Sequence, residues 1–176
     1  MREVELMHRH IAALFTSDAS GRLVAVNDRG AAMAPRVFVG RVRDAVVVRT
    51  RADVDARDAL ALSKLAQTLD TSSEEALGPI DDSEFRAILE RTASVTRSWS
   101  GPAFSIPAGI ALGLNAHRID SQSMSVLESY FSDWMVDVAN GELFAATILD
   151  GVARSMCCTV RQSDDAYEAG ARFAYT

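Results

Sequence analysis

The stretch Glu142–Gly170, ELFAATILDGVARSMCCTVRQSDDAYEAG, decides how the rest of the chain is read. Two apolar runs, Leu143–Leu149 and Val152–Val160, meet across Asp150-Gly151. Asp-Gly between β-rich runs is a strong hairpin signal, because a type I′ turn needs positive φ at both central residues. A second turn at Gln162–Asp165 leads into Ala166–Tyr175, a third strand. The segment therefore reads as an antiparallel meander.

Working outward from the meander, Asn140-Gly141 is a turn and Trp134–Val138 a short apolar run. Ser121 or Ser123 is placed to cap a helix carrying Met124, Leu127 and Phe131. Residues 108–119 fit strand or coil equally. Trp99-Ser100-Gly101-Pro102 punctuates the chain and opens an extended run, Ala103–Ile106, that Pro107 interrupts. Asp81-Asp82-Ser83-Glu84 is an acidic helix start, with Phe85, Ile88, Leu89 and Thr92 following as its core-facing stripe. Ala52–Leu69 has helical period through Val54, Leu60, Leu62, Leu65 and Leu69, with Asp53 or Asp55 as cap, and polar Asp70–Pro79 ends it. Leu23–Asn27, Val37–Arg41 and Ala45–Thr50 read as strands, the last two joined at Arg43-Asp44. A loop, Asp28–Pro35, separates the first two. At the start, Val4, Met7, Ile11 and Leu14 or Phe15 predict a helix over residues 3–15, followed by a turn at Asp18–Arg22 hinged on Gly21. The order predicts a protein of the α/β class, α+β in type, with a mixed and mainly antiparallel sheet flanked by helices.

A chain of 176 residues suits one generous domain or two small ones. We divide it into an N-terminal α/β region, residues 1–100, and a second region, 101–176. Hydrophobic residues make up 48% and charged residues 24%, as in a folded globular protein and unlike a disordered tail. A net charge of −6 argues against a nucleic-acid partner, which wants a basic stripe. Arginine greatly outnumbers lysine, Lys64 standing alone, an imbalance that genome composition explains as easily as function. No apolar run approaches the ~20 residues of a membrane span, and MREVELMHRH is too charged for a signal peptide. Cys157 and Cys158 are adjacent, so in a strand they point to opposite faces and cannot easily bridge. The expectation is a reduced, cytoplasmic protein with no membrane partner.

Two blocks carry a family resemblance. The first is Ala34-Pro35-Arg36-Val37-Phe38-Val39-Gly40-Arg41, with Trp99-Ser100-Gly101-Pro102-Ala103 further on. The second is Asp150-Gly151-Val152-Ala153-Arg154-Ser155-Met156-Cys157-Cys158, followed by Tyr167-Glu168-Ala169-Gly170. Together they resemble the GNAT superfamily of N-acetyltransferases, in particular a bacterial subgroup with an extra N-terminal region. In such proteins the second block looks like the β2–β3 hairpin and the start of the fourth strand, and Ser121–Phe131 like the first helix. The resemblance implies acetyl transfer from acetyl-CoA to a primary amine of a small molecule or peptide. It also implies a loop of the form Arg/Gln-x-x-Gly-x-Gly/Ala after the fourth strand, whose backbone N–H groups hold the pyrophosphate. Here Gly170 is followed only by Ala171-Arg172-Phe173-Ala174-Tyr175-Thr176, so the expectation is a GNAT-like fold incomplete at the C-terminus, truncated before that loop. The cofactor-binding residues are accordingly unassigned.

Glu168 is the candidate catalytic residue, since the resemblance places on that strand a carboxylate that deprotonates the amine. The other reading of Glu168 is a solvated edge-strand carboxylate. Cys157 and Cys158 offer thiols but lack a histidine partner, so packing is the better reading. His8 and His10 face different ways on a helix and, with His117, make no convincing metal site. Asp81-Asp82 and Asp164-Asp165 read as a helix start and a turn, and Trp99 and Trp134 as packing anchors. Alongside acetyl transfer stands a non-catalytic reading, a GNAT-derived binding or dimerisation module. A fold that stops at its fourth strand leaves the edge Ala169–Tyr175 unpaired, and such edges pair with other chains. A homodimer covering that edge is the expected partner arrangement.

Overall fold

Alternation of apolar side chains along Val37–Val42 and Ala45–Thr50 gives a hairpin two faces that both need cover, and the first half of the chain is built around meeting that need. In the computed structural model, which describes residues 3–103 and 115–174, the protein is mixed α/β with antiparallel sheets and helices. The chain falls into two compact units, residues 1–105 and 106–176, each with its own core.

In the first unit α1 (Glu3–Leu14) buries Met7, Ile11 and Leu14 at helical spacing. Strands β1 (Phe15–Ser17) and β2 (Leu23–Val26) pair antiparallel around a turn in which the Asp18 carboxylate accepts the N–H groups of Ser20 and Arg22. Gly21, at φ +78°, supplies the left-handed residue that the turn requires. β3 (Val37–Val42) and β4 (Ala45–Thr50) form the central hairpin. On one face Phe38, Val42 and Val47 pack with Met7, Ile11 and Leu23. Gly40 lies on that face because the Met7 side chain fills the space a Cβ would take. On the other, Val37, Val39, Val46 and Val48 pack against the core of α2 (Ala56–Ala66) and α3 (Ser83–Leu89), centred on Leu62, Ala66, Phe85 and Leu89.

Arginines close the loops of this unit. Arg22 donates to the carbonyls of Arg51 and Val54, Arg36 to those of Leu89 and Ala93, and Arg41 to those of Ala76, Leu77 and Gly78. Arg51 donates to the Ala34 carbonyl and grips Asp53 with two nitrogens. A planar fork with five donors reaches several carbonyls at once, which the single ammonium of lysine does not. The arginine excess thus has a structural use that composition alone did not reveal.

Two expectations change here. The helix predicted over Ala52–Leu69 spans only Ala56–Ala66, because Asp55 caps it by accepting the Arg57 N–H at 2.8 Å. Leu60, expected in the stripe, is 57% exposed, while Asp58 is buried and paired with Arg91. At 100° per residue, Leu60 sits 200° from Leu62, so both cannot face the core.

The second unit runs β5 (Ala116–Ile119), a short helical segment, then β6 (Phe144–Leu149), β7 (Val152–Gln162) and β8 (Tyr167–Phe173). The four strands make one antiparallel sheet in the order β5-β6-β7-β8. Asp150 and Gly151 have φ of 52° and 75°, as the type I′ reading demands, and Leu149 pairs directly with Val152. The helical segment is broken: a 3₁₀ turn at Met124–Leu127, α4 (Glu128–Phe131), a second 3₁₀ turn at Ser132–Trp134, and α5 (Met135–Ala139). Its Leu127, Phe131 and Val138 pack with Phe144, Ala146, Ala153, Met156 and Cys158 on one face of the sheet. Fully burying a side chain such as Phe131 contributes about 1.5–3 kcal/mol. Ser123 takes the cap position, as one of the two expected serines, but its side chain makes no capping bond to the segment: its Oγ accepts the Asp120 N–H, while Asp120 Oδ1 accepts the N–H groups of Gln122 and Ser123 in the turn just before.

The extended run predicted over Ala103–Ile106, beyond its first residue, and the ambiguous stretch 108–114 lie outside the described residues. Among the described residues, no helix is long and apolar enough to cross a membrane.

Candidate functional site

Strand β7 carries two irregularities that set up the site. Thr147 pairs with Ser155 but Ile148 with Ala153, leaving Arg154 as an extra residue. Further on, Thr159 pairs with Ala169 but Arg161 with Glu168, leaving Val160 extra. Such bulges re-aim the side chains that follow. Without the second one, Glu168 would stand opposite Val160. With it, Arg161 donates to Glu168 Oε2 in a half-buried ion pair.

The neighbours of this pair lie on the helix-bearing side of β8. Glu168, Gly170 and Arg172 alternate along that side, and Arg172 reaches Asp133 at 2.7 Å. Gly170 is bare of necessity: a Cβ there would fall 2.7 Å from Val160 and 3.6 Å from the Trp134 ring. Trp134 itself meets Phe144 edge-on, with ring centroids 6.1 Å apart. At the first bulge, Arg154 stacks 5.3 Å over the Tyr130 ring and donates to its hydroxyl. On the opposite side of β8, Tyr167 and Phe173 are 65% and 63% exposed.

The thiols separate as the strand geometry requires. Cys157 is exposed and Cys158 buried in the core, and both are free. Burial, reinforced by the neighbouring Cys157 and by Asp137, pushes the Cys158 thiol up to about 11. At neutral pH it stays protonated, so it packs and does not attack.

Of the other sequence candidates, His8 approaches Arg49 at 3.1 Å, His10 lies tilted against Phe38, and His117 is exposed on β5. Among the described residues no cluster of His, Cys, Asp or Glu could hold a metal ion. Asp81 accepts the Ser83 N–H before α3, and Asp164-Asp165 occupies the turn into β8. Trp99, expected to anchor packing, is 79% exposed with its ring against Gly101; the segment it belongs to has no helix or strand to pack it. Two features escaped the sequence reading. One is Arg161, whose place opposite Glu168 depends on a bulge. The other is buried Asp58, which with Asp55, Arg57, Arg91 and Thr92 lines a shallow depression of about 340 Å³. A carboxylate four residues before Leu62 on a helix was the available signal for the second.

The residues described do not fit the pyrophosphate of acetyl-CoA. The helical pieces of the second unit are short, and their first turns carry Glu128, Asp133 and Asp137, carboxylates that repel a phosphate where the helix dipole would attract it. The room beside Gly170, which ends the segment following the second resemblance block, is filled by Val160. Protein-family models, curated proteins and solved structures give no match to this chain.

Proposed function

We propose that residues 115–174 form a GNAT-like module that works by binding, through the edge of its sheet, and not by acetyl transfer. The observation that carries this reading is the Arg161–Glu168 pair. Glu168, the carboxylate to which the resemblance gives the role of base, is engaged by a guanidinium of its own sheet. Beyond it, β8 has a neighbour on one side only among the described strands. The order of a strand, helices and a three-stranded meander agrees with what the GNAT resemblance implies for this part of the chain.

A second reading, acetyl transfer to a primary amine with Glu168 as base, is favoured by the placement of that residue on the meander's third strand. Isothermal titration of the 176-residue chain with acetyl-CoA and with CoA separates the two. The binding-module reading expects no saturable heat at millimolar cofactor. Saturable binding, with amine acetylation lost in Glu168→Gln, would overturn it in favour of the transferase.

A further inference from the structure

The edge strand β8 has the sequence Tyr167-Glu168-Ala169-Gly170-Ala171-Arg172-Phe173, which is symmetric in character about Gly170. An alanine lies one residue to either side, a charge two residues away and an aromatic three residues away. The two charges are opposite in sign. A strand of this kind is complementary to itself when run antiparallel. We propose that β8 is the interface with a second copy of this chain, the two strands pairing antiparallel across a two-fold axis at Gly170. The two four-stranded sheets then join as one of eight strands. The proposal rests on the binding-module reading and names the occupant of the edge.

In this register Glu168 faces Arg172 of the second copy, Ala169 faces Ala171, and Tyr167 faces Phe173, each pair occurring twice. Opposite charges and aromatic pairs directly across strands are the combinations that stabilise a ladder. Face parity is kept, since Glu168, Gly170 and Arg172 all lie on the helix-bearing side. At the axis, where a residue meets its own copy, there is no side chain to collide.

The charges are already positioned within each chain, Glu168 by Arg161 and Arg172 by Asp133. Association places them in a row of alternating sign: Arg161, Glu168, then Arg172 and Asp133 of the second copy. Registers shifted by four residues set Glu168 against Glu168 or Arg172 against Arg172, so like charges exclude them. A shift by one residue turns the helix layers to opposite sides of the sheet. The exposed aromatics Tyr167 and Phe173, on the far side, both gain aromatic partners only in the Gly170-centred register.

The test uses the 176-residue chain in sedimentation equilibrium. Wild type is expected to be dimeric at micromolar concentration. Glu168→Arg and Arg172→Glu each convert both cross-strand ion pairs into like-charge pairs, and each is expected to weaken self-association about tenfold or more. Mixed in equal amounts, the two variants restore both attractions and are expected to form a heterodimer. Hydrogen exchange on wild type provides a measurement that does not depend on the variants folding: protection of the β8 amides should rise with protein concentration. A monomeric wild type, concentration-independent β8 exchange, or a mixture that stays monomeric would overturn the proposal. Failure of the edge is distinguishable from failure of the module reading. A monomer that ignores acetyl-CoA refutes only a second copy as the occupant of the edge, whereas a dimer that binds acetyl-CoA refutes only the non-catalytic module reading.

Discussion

At the residue scale, neighbouring positions on one strand are given opposite chemistry by the pleat alone. Cys157 faces solvent and Cys158 the core, so iodoacetamide at pH 8 should label Cys157 and leave Cys158 unmodified until the unit unfolds, as peptide mass mapping would report. The raised Cys158 value also has a consequence for stability. A thiol ionising near 9 when unfolded and about 11 when folded retains its proton better in the native state. Its contribution is therefore fully present below pH 9 and is lost as pH rises through 11, by about 2 kcal/mol in denaturant midpoints converted to free energy. Cys158→Ala should flatten that alkaline loss; an unchanged slope would assign it to other groups. Gly170 is a residue whose requirement is steric. Gly170→Ala should destabilise the second unit by roughly 1–3 kcal/mol, because the new methyl would fall 2.7 Å from the Val160 side chain, which must shift to admit it.

At the element scale, turns and caps follow local rules, and most of them were legible. Asp150-Gly151 was readable because the dihedrals it needs exclude most other dipeptides. Gly151→Ala should cost about 1 kcal/mol or more from backbone strain alone, since the space around a new Cβ is open. Asp55, one of two caps proposed for α2, is the one used, and Asp55→Ala should cost about 1 kcal/mol in chemical denaturation. Ser123→Ala is a contrasting case: Asp120 holds the backbone N–H groups there, so Asp120→Ala is expected to be the more damaging of the two. Ser123 holds a cap position that was legible, but its hydroxyl turns back to the Asp120 N–H, and that choice depends on the path of the chain out of β5. The bulges at Arg154 and Val160 were likewise invisible. Nothing in ARS or TVR distinguishes a residue that continues the ladder from one left out of it.

At the scale of the whole molecule, acid should act through many small local contacts. Asp120 and Asp18 are held below the ordinary carboxylate value by serine hydroxyls and backbone N–H groups, Asp70 and Asp81 by N–H groups two residues on, and Asp53 by Arg51. Their folded values are depressed, so the stability they lend is present above the unfolded value near 4 and is lost as pH falls below it. Thermal melts should accordingly hold steady from pH 7 to 5 and drop between pH 4 and 2. A midpoint that rose on acidification would contradict the assignment.

The sequence by itself determined the class of the protein, the meander, the α1 stripe and the turns, because each depends on periodicity or on dihedral demands within a few residues. It also put Glu168 on the third strand of that meander. Tertiary structure alone decided that Glu168 is paired with Arg161, that Asp58 and not Leu60 faces the core, and that arginines close the loops of the first unit. These outcomes depend on which residues from distant segments compete for the same space and the same hydrogen bonds, and a bulge or a cap two residues away is enough to change the winner.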